Sequence, residues 1–378
     1  FYKDIFFNVR LARAPMIDDL NRQIQIHWPN IQSEIAKEVT VNQVAYLIFK
    51  LDHNVSYTCK PILPPDESEV MVQYDHLSIP ESMVLQGLRF QSDTFSQNFL
   101  KITKNEPSLV EKNKPISDGQ TLLHFAYIHQ KFSIARQLIE SHGFDIYQED
   151  DNGMNAFLYA VTHAPIDHVS WLIGERRFDH HKMAQSKDRY DRGALYIAAS
   201  NGNTDMVRLL LNELPLDENL SNTSGHTPLS IAIYNKFEDT ACEIVSNGAI
   251  RLNQKINQMN WTAFHFAAER NMAKVINLMI KKGATVSESK TGETPLHISA
   301  KNGCVEATRI ILKMPAIDDD KGCDKTLTTG ETPLMLAATK GYAQIVELLL
   351  SKSDVNIKNK MGYTAAMIAL INGNIDCL

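Results

Sequence analysis

A mostly α-helical solenoid of stacked helix pairs, joined to a separate N-terminal segment that is helical or α+β, is the fold class this sequence predicts. Three observations carry that expectation. One short element recurs in phase along the chain, clearest at residues 291–303 (TGETPLHISAKNG) and 329–341 (TGETPLMLAATKG). Each copy is followed by a second apolar pattern at helical spacing, and residues 1 to about 115 contain no copy at all.

The copies begin with DGQTLLHFAY at Asp118 and continue as NGMNAFLYAV, DRGALYIAAS, SGHTPLSIAI and MNWTAFHFAA, ending with MGYTAAMIAL at Met361. Their fixed apolar position runs Leu123, Phe157, Leu195, Leu229, Phe264, Leu296, Leu334 and Ala366. The mean step is about 35 residues, close to the roughly 33 of one repeat architecture built from a turn and two helices. Eight matches in phase, from Ile116 to the end, make the sequence resemble the ankyrin-repeat family. That resemblance implies a helix-turn-helix and a finger loop per repeat, and a protein-binding concave surface.

The residue types fit such a unit. Thr294 and Thr332 stand where a hydroxyl caps the first helix, and Pro295 and Pro333 then occupy its first turn without losing a hydrogen bond. Gly202, Gly303, Gly341 and Gly373 fall between the helices, where a left-handed residue ends the first one. In the second helix, Ile134, Leu138 and Ile139, Val207, Leu210 and Leu211, and Val275, Leu278 and Met279 share a face that one pair cannot bury alone. The resemblance implies that His124, His265 and His297 tie neighbouring repeats together. Two steps, Phe157 to Leu195 and Leu296 to Leu334, are 38 residues long, so loop insertions are expected around residues 178–191 and 316–328.

The resulting division is an N-terminal domain at 1–90, a capping helix or diverged repeat at 91–116, and repeats at 117–378, seven full and the start of an eighth. The chain begins at Phe1 without a methionine and stops just after Cys377 in mid-pattern, so a fragment is expected.

Composition narrows the function classes. A net charge of −6, with acids and bases interspersed, argues against nucleic acid held by bulk charge. No apolar run reaches the roughly 20 residues a membrane span needs. Five widely spaced cysteines without a CxxC pair read as reduced thiols, in cytoplasm or nucleus. No HExxH, GxSxG or phosphate-cradling loop is present, and the N-terminal segment holds one glycine, Gly87. The enzymatic alternative is a thiol protease or transferase built on Cys59 with His53 or His76, the repeats recruiting its substrate. His163, His168, His180 and His181 lack zinc-ligand spacing, and neither a metal nor a cofactor is expected.

The expected function is a protein-protein interaction scaffold. The resemblance places Tyr190, Arg192, Met259, Trp261, Arg270, Lys290, Glu293 and Tyr363 on the partner-binding surface. Trp261 follows Asn260, which replaces the motif glycine, and so is expected at a position open to solvent. Interface anchors are rich in Trp, Tyr and Arg. In style, the irregular repeat lengths and degenerate motifs resemble the ankyrin effectors that intracellular bacteria such as Legionella or Coxiella deliver into host cells, which implies a host protein as partner.

Overall fold

The computed structural model describes residues 113–318 and 322–378. The chain divides into two compact units, Phe1–Asp151 and Asn152–Leu378. The expected domain at 1–90 and nearly all of the capping segment at 91–116 lie outside the described residues.

In the first unit the described part is one helix pair, α1 (Leu122–Ile128) and α2 (Phe132–His142). Leu123, Tyr127, Ile134, Leu138 and Ile139 are fully buried between them. The imidazole Nδ1 of His124 accepts the Thr121 backbone N–H at 2.9 Å, and its Nε2 lies 3.0 Å from the carbonyl of Gln148. The ring thus closes the start of its own helix and fixes the chain that follows the pair.

The second unit repeats this plan. Its inner helices are α3 (Ala156–His163), α6 (Ala194–Ser200), α8 (Pro228–Tyr234), α10 (Ala263–Glu269), α12 (Pro295–Lys301), α15 (Pro333–Lys340) and α17 (Ala365–Ile371). Its outer helices are α4 (Ile166–Gly174), α7 (Thr204–Glu213), α9 (Glu238–Asn247), α11 (Ala273–Lys281), α13 (Val305–Ile311) and α16 (Ala343–Leu350). Inner helix packs on inner helix and outer on outer, in chain order. Small buried residues such as Ala198, Ala267, Ala300 and Ala337 line the inner stack, where a larger side chain would hold neighbouring helices apart. Phe157 and Phe264 are fully buried, each removing about 2–3 kcal/mol of apolar surface from water.

The caps follow the sequence. The hydroxyls of Thr227, Thr294, Thr332 and Thr364 each accept the backbone N–H three residues on, at 3.3–3.4 Å. Left-handed residues end the inner helices at Gly202, Gly303, Gly341 and Gly373. The fourth and fifth repeats use Lys236 (φ 65°) and Asn271 (φ 56°) instead. Asn271 has a second task, because its Oδ1 accepts the Ala307 N–H at 2.9 Å in the first turn of α13. Lys236 has no such compensating bond to a neighbouring repeat among the described residues. A left-handed backbone costs a residue with a Cβ about 1 kcal/mol or more, so Lys236→Gly is expected to raise stability by about 1 kcal/mol. A melting point unchanged or lowered in the variant would refute this.

Both insertions are short helices where loops were expected. The first forms α5 (His180–Gln185), capped by Asp179 and anchored by fully buried Met183. The second contains α14 (Pro315–Asp318) and a 3-10 turn (Gly322–Asp324), with Ile317 and Cys323 buried. Met183 in the first insertion, and Ile317 with Cys323 in the second, are the inward side chains that hold them against the stack. Among the described residues there is no β-strand, only isolated bridges at Ser117 with Gln120 and Lys187 with Gly193.

Candidate functional site

The second unit extends fingers between each outer helix and the next inner helix, and in five of them one polar side chain sets the finger's shape, Leu327 standing at that position in the seventh repeat. Asp188 Oδ1 accepts the N–H groups of Tyr190 and Arg192, both at 2.9 Å. Asn222 does the same for Ser224 and His226, Asn257 for Met259 and Trp261, and Asn359 for Met361 and Tyr363, at 2.9–3.1 Å. In the sixth repeat the Ser289 hydroxyl takes this place for Thr291 and Glu293. Short polar side chains that mimic a backbone turn hold a tight loop open in one shape. Tyr190, Arg192, Met259, Trp261, Glu293 and Tyr363 are therefore all carried on, or just after, a loop with a defined geometry. The spacing five residues before the capping position is the signal for this device, and the sequence reading did not use it.

Fingers are linked by a ladder in which a fingertip N–H donates to the carbonyl of the preceding fingertip. Arg189 donates to Asn152, Thr223 to Tyr190, Lys290 to Met259, Thr328 to Thr291 and Lys360 to Thr329, at 2.8–3.2 Å. The equivalent bond from Gln258 to Ser224 is absent among the described residues. There the Ile256 carbonyl approaches Gly225 so closely that a Cβ would overlap it.

An aromatic cluster occupies this junction. Trp261 stacks on His265 with ring centroids 5.9 Å apart and meets Phe266 edge-on at 5.2 Å. Phe266 lies 5.6 Å from His226, which lies 6.0 Å from Tyr234. The Arg270 guanidinium sits 4.7 Å above the Tyr234 ring and 3.6 Å from Glu269. Offset and edge-on aromatic contacts and a cation over a ring each contribute about 0.5–1.5 kcal/mol. Trp261 is half-buried, packed against its own inner helix rather than open to solvent. Tyr234, at 48% exposure, and Met259, at 41%, present the accessible surface. Phe266 belongs to the repeat of Trp261 itself, whereas Tyr234 and His226 come from the preceding repeat and reach the cluster only through the stacking.

The other candidates divide into smaller groups. Exposed Tyr190 lies between two guanidinium groups, Arg189 at 4.9 Å and Arg192 at 5.2 Å, and Arg192 is itself paired with buried Asp188 at 2.6 Å. Lys290 is exposed, whereas Glu293 is mostly covered and paired with Lys301 at 3.2 Å. Exposed Tyr363 stands on the eighth finger, three repeats beyond Trp261.

His265 and His297 are buried, and His265 alone of the two bonds to the next repeat, the buried Nε2 of His297 having no hydrogen-bond partner among the described residues. Nδ1 of each accepts its capping threonine's N–H, at 3.1 and 3.2 Å, and His265 Nε2 lies 3.2 Å from the carbonyl of Glu293 in the next repeat. Burial pushes both imidazoles down to about 4. Among the described residues no group of three His, Cys, Asp or Glu side chains is placed to hold a metal. His180 instead contacts the Ile173 carbonyl at 2.8 Å, His168 packs on Trp171, and His163 on Tyr159. Burial pushes the Cys242, Cys304 and Cys377 thiols up, away from the nucleophilic thiolate. Cys59, His53 and His76 lie outside the described residues. No described helix is long and apolar enough to cross a membrane.

The family described as ankyrin repeats (3 copies) matches residues 92–184, 178–256, 250–321 and 314–378. The chain belongs to the ankyrin-repeat family. Membership of the ankyrin repeats makes it a protein-protein interaction scaffold by class. Among curated proteins, this ankyrin chain is 27% identical over 195 residues to ankyrin repeat protein nuc-2 of Neurospora crassa, covering 52% of this chain and 18% of that protein. It is 24% identical to NF-kappa-B inhibitor zeta of Bos taurus, covering 68% and 37%. With probable 26S proteasome regulatory subunit p28 of Saccharomyces cerevisiae it shares 26% identity, over 50% of this chain and 83% of that one. The chain thus spans well under half of the first two relatives. A solved structure described as EF0377, an ankyrin repeat protein, aligns over 50% of this chain and 96% of its own, at 26% identity and a TM-score of 0.44.

Proposed function

We propose that this chain holds a partner protein across the fingers and inner-helix ends of the Asn152–Leu378 unit, anchored on the cluster at the fourth and fifth repeats. The observation that supports this most is the exposure of Tyr234, at the end of an inner helix under Arg270, and of Met259, beside Trp261 on a finger whose shape Asn257 sets. A half-buried Trp and a part-covered Arg beside an accessible Tyr have the composition of an interface hot spot. The relatives named as an inhibitor and as a regulatory subunit support a role in contacting other proteins. The resemblance in style to bacterial effectors makes a host-cell protein of the cytoplasm or nucleus the partner to seek, and a reducing compartment suits the free thiols of Cys242, Cys304 and Cys377.

The test is affinity capture from host-cell lysate with the full chain beside Tyr190→Ala/Tyr234→Ala, with captured proteins identified by mass spectrometry. Both side chains are exposed, so the variant is expected to stay folded and to melt a few degrees below the wild type through its lost ring contacts, while its partner is depleted at least tenfold, the loss of one hot-spot residue or more. Equal capture by a folded variant would place the contact elsewhere on the chain.

A further inference from the structure

The distribution of charge on the fingers narrows the class of partner, and this step rests on the finger-face reading above. Six stretches make up the fingers and inner helices from the third repeat onward: 186–202, 220–236, 254–271, 286–303, 324–341 and 356–373. Together they hold twelve Lys and Arg against seven Asp and Glu, although the whole chain carries −6. Five of those acids are already engaged inside the face: Asp188 with Arg192, Asp191 with Lys187, Glu269 with Arg270, Glu293 with Lys301 and Glu288 with Lys325. A sixth, Glu331, accepts the Thr329 hydroxyl at 2.8 Å. By contrast Arg189, Lys236, Lys290, Lys340 and Lys360 form no ion pair among the described residues.

These cations border one trough. The Lys301–Glu293 pair spans from an inner-helix end to its own finger, and Asn235 Nδ2 donates to the Ser200 carbonyl between successive inner-helix ends. The fingertip cations (Arg189, Lys290, Lys360) and the helix-end cations (Lys236, Lys340) are therefore its two rims. The exposed Tyr234, two residues before Lys236, stands on the helix-end rim, and the exposed Met259, whose carbonyl accepts the Lys290 N–H, on the fingertip rim.

We propose that this trough takes an acidic segment of a partner protein, its carboxylates on the two rims and an apolar side chain seated between Tyr234 and Met259. A like-charged partner would leave the rim cations facing cations, which costs specificity and slows encounter. A protein segment is favoured over nucleic acid because exposed apolar side chains interrupt the cations. The acidic remainder of the chain also repels an extended polyanion.

The experiment is fluorescence anisotropy on the full chain with three labelled probes. They are a short peptide of Glu and Asp with one Leu and one Phe, the same peptide with Lys in place of the acids, and a single-stranded DNA of similar length. The acidic peptide is expected to bind best and to weaken on the order of tenfold between about 50 and 300 mM salt. Lys290→Glu/Lys340→Glu is expected to weaken it by about tenfold or more, whereas Lys281→Glu/Lys313→Glu, on exposed outer positions, leaves it unchanged. The proposal is overturned if the acidic peptide does not bind, if the Lys peptide or the DNA binds equally well, or if both double reversals act alike. A captured partner lost with Tyr190→Ala/Tyr234→Ala but indifferent to salt and to Lys290→Glu/Lys340→Glu would leave the finger-face reading standing and remove the acidic class alone.

Discussion

Acidification from pH 7 to pH 5 is expected to destabilise the second unit by several kcal/mol, because two buried histidines must stay neutral for it to fold. His265 and His297 are fully buried, and burial lowers each imidazole from its ordinary 6.5 to about 4. Glu293 pulls His265 the other way, and Glu293 with Glu288 does so for His297, but burial outweighs them. Above pH 6.5 both rings are neutral in the folded and unfolded chain alike. Below it the unfolded ring takes up a proton that the folded ring refuses until about pH 4, so stability is intact above 6.5 and is lost as the pH falls through that window. Each histidine then accounts for about 2 kcal/mol of loss by pH 5 and up to roughly 3 kcal/mol at pH 4. Urea unfolding at a series of pH values checks this against His265→Gln/His297→Gln. The variant starts less stable, since its threonine caps lose their imidazole partner, but its profile is expected to be much flatter. An equally steep profile in the variant would assign the acid sensitivity to other groups.

Gly225→Ala is expected to cost roughly 3 kcal/mol, from two sources that a second substitution separates. The first is backbone conformation, since Gly225 has φ 84°. The second is the overlap of a new Cβ with the Ile256 carbonyl oxygen, which as backbone cannot rotate aside. Gly362 has nearly the same φ, 83°, and nothing within 4 Å of a Cβ built there, so Gly362→Ala reports the conformational part alone, about 1 kcal/mol. Chemical denaturation of both variants measures the difference. Equal losses would show that the finger of the fifth repeat moves away freely and that the tight approach at Ile256 is not rigid. This junction is also the one without the Gln258 to Ser224 bond, so the gap in the ladder and the aromatic cluster share one place in the stack.

Much of the architecture could be read from residues close in sequence because the forces that set it act over a few residues. A threonine caps the amide three positions on, a left-handed glycine ends the same helix, and apolar side chains three or four apart share one face. Those features appear at Thr294, Gly303 and Val275, and Asn260, in the place of the motif glycine, is left-handed at φ 61°. By sequence alone the chain determined its repeat phase, the caps at Thr294 and Thr332 and most of the buried outer-helix face, Leu211 and Leu278 of the named residues being only half-buried. Only the tertiary structure decided that Trp261 turns back onto His265 and Phe266 while Tyr234 of the preceding repeat takes the exposed position. It likewise decided that the insertions coil into helices around Met183 and Ile317. The physical reason is that His226 meets Phe266 and Arg270 meets Tyr234 across successive repeats, and the burial of Met183 and Ile317 needs the packed stack; the Trp261 contacts are only four and five residues apart, but whether the ring faces inward depends on the packing around it.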